Sequence, residues 1–247
     1  VLCKGYKIVN DLTLSNQDGT DPDFDKNMVI DDIFEYTSDD AVAVKADSGL
    51  SDGLIVKNSV FWTKKSALKI GTGIQHGASN IWFIHNDVLH ADRAIAVYAT
   101  TGTANGIHYI ENTSEDIGGN AQQQLVVIEA DAGAISNVEV VDYVAFRNGP
   151  KSSTIVNASN IRFCNLKIAG QFITSPAAGN FVLTNAKNVT FTSCTSATPV
   201  PRNPFSSDGS VPAPSSPHSG GSNTSLIRSF LQLLIKIISF SLLRISW

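Results

Sequence analysis

Asn80-Ile81-Trp82-Phe83, Asn137-Val138-Glu139-Val140, Asn160-Ile161-Arg162-Phe163 and Asn188-Val189-Thr190-Phe191 repeat one phrase. A residue that tolerates a left-handed backbone is followed by apolar residues at alternate places. Looser copies begin at Gly5, Asn27, Gly53 and Gly106, and the eight anchors lie 22, 26, 27, 26, 31, 23 and 28 residues apart. A period in that range marks stacked supersecondary units. Each unit has room only for short strands, with Val and Ile alternating and Gly, Asn or Asp at their bounds. The reading is an all-β chain wound as a parallel β-helix of about eight coils.

A second row of turn formers follows five residues past the anchors, at Asn10, Asp32, Asn58, Asp142 and Asn165, with Asn86 and Asn112 one place later. Stacked, these residues form a corner and a side-chain amide ladder. The anchors should then start equivalent strands. Val42, Val44, Leu68, Ile70, Ile95 and Val97 should point inward, between outward Ala41, Ala43, Lys69, Ala96 and Tyr98. No antiparallel pairing is expected between residues 27 and 197.

With 43% hydrophobic and 16% charged residues, the chain can fill a narrow continuous core. A net charge of −4 argues against nucleic acid and anionic membranes as partners held by long-range attraction. Coil signals fill residues 1–198, a Pro/Ser/Gly-rich linker covers 199–225, and 226–247 is an apolar tail carrying Arg228, Lys236 and Arg244. A membrane-spanning tail would place Lys236 near mid-bilayer at about 2.5–3.5 kcal/mol, so membrane contact is not favoured. Val1 falls inside a repeat with no earlier coil to cover it, which implies missing N-terminal coils. Cys3, Cys164 and Cys194 have neither metal spacing nor a complete disulfide framework and read as buried or incidental thiols. His76, His85, His90 and His108 sit at differing coil offsets, so no metal and no cofactor is expected, and the chain should be monomeric.

Thirteen residues past successive anchors stand Asp18, Asp40, Ser66 and Arg93, and twelve past stand Gln17, Asp39, Lys65 and Asp92. Equal offsets form columns, and neighbouring coils lie about 4.8 Å apart. Asp18, Asp39 and Asp40 therefore share one face. Repulsion between clustered carboxylates keeps one protonated beside an ionised neighbour. Glycosidic-bond hydrolysis needs that division of labour. The alternative is that these aspartates only cap turns, in a non-catalytic β-helix used for adhesion or carbohydrate binding.

Asn16-Gln17-Asp18-Gly19-Thr20-Asp21-Pro22-Asp23 and Ser38-Asp39-Asp40-Ala41-Val42-Ala43-Val44-Lys45 resemble two blocks of glycoside hydrolase family 28, the polygalacturonases. The resemblance implies a right-handed, pectin-lyase-type β-helix and a secreted enzyme. It also implies an inverting mechanism in which Asp40 is the general acid while Asp18 and Asp39 activate water. The acid and base should then lie about 6.5–9.5 Å apart.

Two departures shift the expected substrate. The family's Gly-His-Gly histidine falls on Ser66, and its Arg-x-Lys pair falls on Ala96-Val97-Tyr98. Without that carboxylate clamp a neutral sugar is favoured, most simply an α-glucan such as dextran, as in the similar families 49 and 87; a pectic substrate is the alternative. Lys45, Trp62, Lys65, Ser66, Lys69, Arg93 and Tyr98 are the candidate substrate contacts. Lys69→Ala is expected to alter activity only modestly.

Overall fold

The computed structural model describes residues 1–195; the linker and the apolar tail lie outside the described residues. The described residues are all-β, a parallel β-helix of about seven turns, with no helix among them. One sheet stacks Leu2–Lys4, Val29–Asp31, Ile55–Lys57, Ala78–Ile84, Thr103–Ile110, Ala134–Val141, Ala158–Cys164 and Lys187–Thr192. A second stacks Lys7–Val9, Phe34–Thr37, Val60–Thr63, Asp87–Ala91, Thr113–Ile117, Val144–Ala145 and Lys167–Ile168. The third stacks Val42–Val44, Ser66–Ile70, Arg93–Ala99, Gln124–Ala130, Ser153–Val156 and Phe181–Thr184.

All eight anchors have positive φ, from 52° at Asn27, Asn80 and Asn188 to 73° at Gly53. That explains their restriction to Asn and Gly. Asn137, Asn160 and Asn188 stack, each amide donating to the side chain one coil back: Asn160 Nδ2 reaches Asn137 Oδ1 at 3.1 Å and Asn188 Nδ2 reaches Asn160 Oδ1 at 3.0 Å. At the second corner the left-handed residues are Asp32, Asn58, His85, Glu111, Asp142 and Asn165. Asn86 and Asn112 come one place later because they point inward. Fully buried, they bond to each other and to the carbonyls of Val56 and Phe83.

Gly5 is a residue of this second corner. The pairing of Leu2 with Val29 and of Lys7 with Phe34 aligns Gly5 with Asp32, not with Asn27. Seven anchors remain, in keeping with about seven turns, close to the expected count.

Val42, Val44, Leu68, Ile70, Ile95 and Val97 face the core as expected. Ala41 does too, stacked with Ala67 and Ala94, because the corner between the second and third sheets turns two consecutive residues inward. Its small side chain is what fits there. One antiparallel pair exists, Lys167 with Phe172 and Ile168 with Gln171, contrary to the expectation of none. Ala169 and Gly170, at φ 50° and 79°, make the tight two-residue turn. The hairpin covers the edge of the second sheet.

Cys164 and Cys194 form a disulfide, Cα–Cα 5.7 Å, while Cys3 is free. The reading of all three as thiols is corrected: Cys164 pairs with Thr192 in the sheet, and Cys194, two residues further along the last coil and 30 from Cys164, comes back beside it. A bridge closing a loop of that size stabilises by about 2–4 kcal/mol. Reduction of the folded protein is expected to lower the unfolding free energy by that amount in a denaturant titration, and Cys194→Ser should remove the effect of reductant.

Candidate active site

The three aspartates meet at the corner between the second and third sheets. Thr20 bridges to Val42 in parallel register, which sets Asp18 beside Asp40. Asp40, Ser66, Arg93 and Gln124 continue the column. One carboxylate oxygen from each of Asp18, Asp39 and Asp40 lies within 4.8 Å of the others. The roughly 6.5–9.5 Å of an inverting acid–base pair refers to whole carboxyl groups, and these are nearest oxygens. Oxygens this close can share one water.

Asp18 is carried by a loop, not a strand. Asn10 Nδ2 donates to the carbonyls of Gln17 and Asp18 at 2.9 and 3.0 Å, Ser38 Oγ to Leu14 O at 2.5 Å and Lys64 Nζ to Leu12 O at 2.8 Å. The next residues, Gly19 and Thr20, donate their amides to Asp40 O and Ala41 O, each at 2.9 Å, so this segment adds a rung to the third sheet. Burial first, then the charges of Asp21, Asp39 and Asp40, pushes the Asp18 carboxyl up to about 6, against the pull of Lys45.

Asp40 is only 4% exposed and fully engaged. One oxygen accepts Lys69 Nζ; the other accepts the Ser66 amide at 2.8 Å, with Arg93 Nη2 at 3.9 Å. Burial alone would raise its pKa, but Lys69 and the Ser66 bonds outweigh that and hold it below the usual carboxylate range. Asp39 is half-buried, and its Oδ1 accepts the Asp40 amide at 2.9 Å.

The remaining candidates divide. Lys69, Ser66 and Arg93 surround Asp40, with Arg93 Nε donating to Ser66 Oγ at 2.8 Å. Lys45 pairs with Asp21 at 3.7 Å, and the Tyr98 ring lies 5.9 Å from Lys69 Nζ. Lys65 occupies the neighbouring column, where its carbonyl accepts the Asp92 and Arg93 amides. Asp92 is buried and holds the amides of Gln122 and Gln123 at 3.2 and 2.8 Å, fixing the loop beside Arg93. Trp62 lies off the site on the second sheet, where Tyr36 and His90 stack at 4.6 and 4.8 Å on either side of it. It is partly exposed, with these two rings as its neighbours along the column.

Asp21 and Glu35 were not among the candidates. Asp21 belongs to the motif already quoted, and burial raises its pKa despite Lys45. Glu35 stands in an inward column otherwise made of Ile8, Phe61, Val88, Ser114, Ala145 and Ile168. Its signal was an acid at an inward place of the alternation Phe34-Glu35-Tyr36. It is 0% exposed, and burial pushes it from the ordinary 4.5 to about 7. The folded state therefore holds this proton more tightly than the unfolded chain. Its contribution to stability is complete below pH 4.5 and is lost as pH rises through about 7, a change on the order of 3 kcal/mol. Urea titrations from pH 4.5 to 8 should show that decline, and Glu35→Gln should flatten it.

The triplet has the spacing to hold a cation. Asp18, Asp21, Asp39 and Asp40 are nevertheless nearly balanced by Lys45, Lys69 and Arg93, so the cluster has no charge deficit that calls for one. A shallow pocket of about 280 Å³ lined by Glu115, Asp116, Phe146 and Arg147 contains none of these residues. Comparisons with family models, with curated proteins and with solved structures find no match to this chain.

Proposed function

We propose that this β-helix is a glycoside hydrolase acting on a neutral polysaccharide, with an α-glucan such as dextran as the first choice. The observation that carries the reading is the meeting of three aspartates in unlike environments, two of them with pKa shifts of opposite sign. Pairs of acids pushed apart in this way mark acid and base roles. The likeness to family 28 gives the acid's role to Asp40, but that carboxylate is buried and held ionised by Lys69. Asp18, with a pKa of about 6, is the better proton donor to the leaving oxygen. Asp39 faces the same point with less burial and activates water. Burial first, then the charges of Asp21, Asp39 and Asp40, keep Asp18 protonated. Inversion is not part of the proposal, and NMR of the first product reads the anomeric outcome directly.

A neutral substrate is favoured because three cations near the triplet already serve an aspartate: Lys69 and Arg93 serve Asp40, and Lys45 serves Asp21. A uronate carboxylate would have to displace one of these or turn to Lys65, one coil on from Asp39. Reducing-sugar release should be measured on dextran, pullulan, α-1,3-glucan and polygalacturonate. We expect a neutral glucan to exceed polygalacturonate by at least about tenfold, the equivalent of one charge-assisted hydrogen bond. Polygalacturonate as the best substrate would make this a pectic enzyme. Binding without release on any of the four would favour the non-catalytic reading.

A further inference from the structure

We propose that Glu35 is a positioning residue that seats the Asp18–Thr20 segment from inside the coil and so holds the three aspartates together. The seating is a matter of structure; its consequence for catalysis rests on the hydrolase reading. Glu35 Oε1 accepts Thr20 Oγ1 at 2.5 Å, and Thr20 Oγ1 in turn meets the Tyr6 hydroxyl at 2.6 Å. Oε2 is buried without a hydrogen-bond partner. It lies under Gly19 so closely that a Cβ there would sit 2.3 Å from it, which is why this place takes glycine.

The groups around Glu35 are few. Ile8 and Phe61 flank it in its column, Tyr6 and Thr20 supply hydroxyls, and Asp21 is the charged neighbour, of the same sign. A neutral carboxyl fits this setting. An ionised one leaves a bare oxygen in an apolar interior beside another acid, and its nearest source of a donor is water. Water reaches it by lifting Gly19 and Thr20 from the carbonyls of Asp40 and Ala41, the same bonds that put Asp18 beside Asp40. Ionisation of Glu35 therefore opens the site, and protonation closes it.

Amide exchange of Gly19 and Thr20, corrected for intrinsic rates, reads this without any assay of activity. Protection in the wild-type chain should fall about tenfold from pH 6 to pH 8, while the Val97 and Ile128 amides stay constant. Glu35→Gln, which keeps the acceptor but cannot ionise, should abolish the fall. Thr20→Val, which removes the link, should lower protection at both pH values. A wild-type profile that is flat, a Glu35→Gln profile that falls like the wild type, or full protection in Thr20→Val would each overturn the proposal. Where hydrolysis is measurable, the alkaline limb of the rate should be steeper in the wild type than in Glu35→Gln. Exchange behaving as stated with no hydrolysis of any polysaccharide would uphold the seating and reject the hydrolase reading alone.

Discussion

Asp18→Asn is expected to lower kcat for polysaccharide hydrolysis by a factor of about 10²–10⁴, the usual contribution of a positioned general acid. Asp39→Asn should cost a similar factor through loss of the base. The wild-type rate should decline as pH rises through about 6, because Asp18 is the donor and loses its proton there. Asp40→Asn separates this assignment from the one implied by the resemblance. If Asp40 were the acid, its amide would abolish activity and the alkaline limb with it. If Asp40 fixes the field around Asp18, the amide leaves residual activity whose alkaline limb moves to lower pH, since one of the charges holding the Asp18 proton has gone. Rate profiles of the three variants on the best neutral glucan decide between them. Full loss of rate in Asp40→Asn, with no alkaline limb left to measure, would return the acid's role to Asp40.

The repeat was legible because the left-handed anchor corner admits few residue types, so Asn and Gly recur there, whereas the second corner also takes Asp32, His85, Glu111 and Asp142. The column of Asp18, Asp40, Ser66 and Arg93 was also legible, but its first member was reached through two errors that cancel. Gly5 was counted as an anchor although it belongs five residues further round the coil. The loop after Asn10 inserts the same number of residues before Asp18. Counting could not separate a displaced corner from a longer loop, whereas the pairing of Lys7 with Phe34 does so at once. The disulfide was hidden for a related reason, since residues 30 apart become neighbours only when the register of the last coils is known. Trp62 could not be judged from its own strand. Its environment is set by Tyr36 and His90, which stand 26 and 28 residues away in sequence.

Lys69→Ala is expected to destabilise the fold by about 3–5 kcal/mol near pH 7, a cost to stability that the expectation of a modest change in activity did not address. Lys69 is 8% exposed and Asp40 4%, and their contact is the main charge compensation available to that carboxylate. Arg93, at 3.9 Å and shared with Asp92, compensates only in part. Removing the lysine leaves a buried anion whose desolvation is no longer offset. The sign with pH follows from the depressed pKa of Asp40. The stability it contributes is present above the ordinary carboxylate value of 3.8 and is lost as pH falls through the lower folded value, so the deficit of Lys69→Ala should shrink in acid. A double variant distinguishes lost pairing from lost packing. Asp40→Asn with Lys69→Met removes both charges while keeping volume, and should recover most of the stability lost in Lys69→Ala. Chemical denaturation of the single and double variants measures this directly. A double variant as unstable as Lys69→Ala would mean that the lysine stem, not its charge, holds the third sheet at this corner, and the buried ion pair would lose its place in the account of the site.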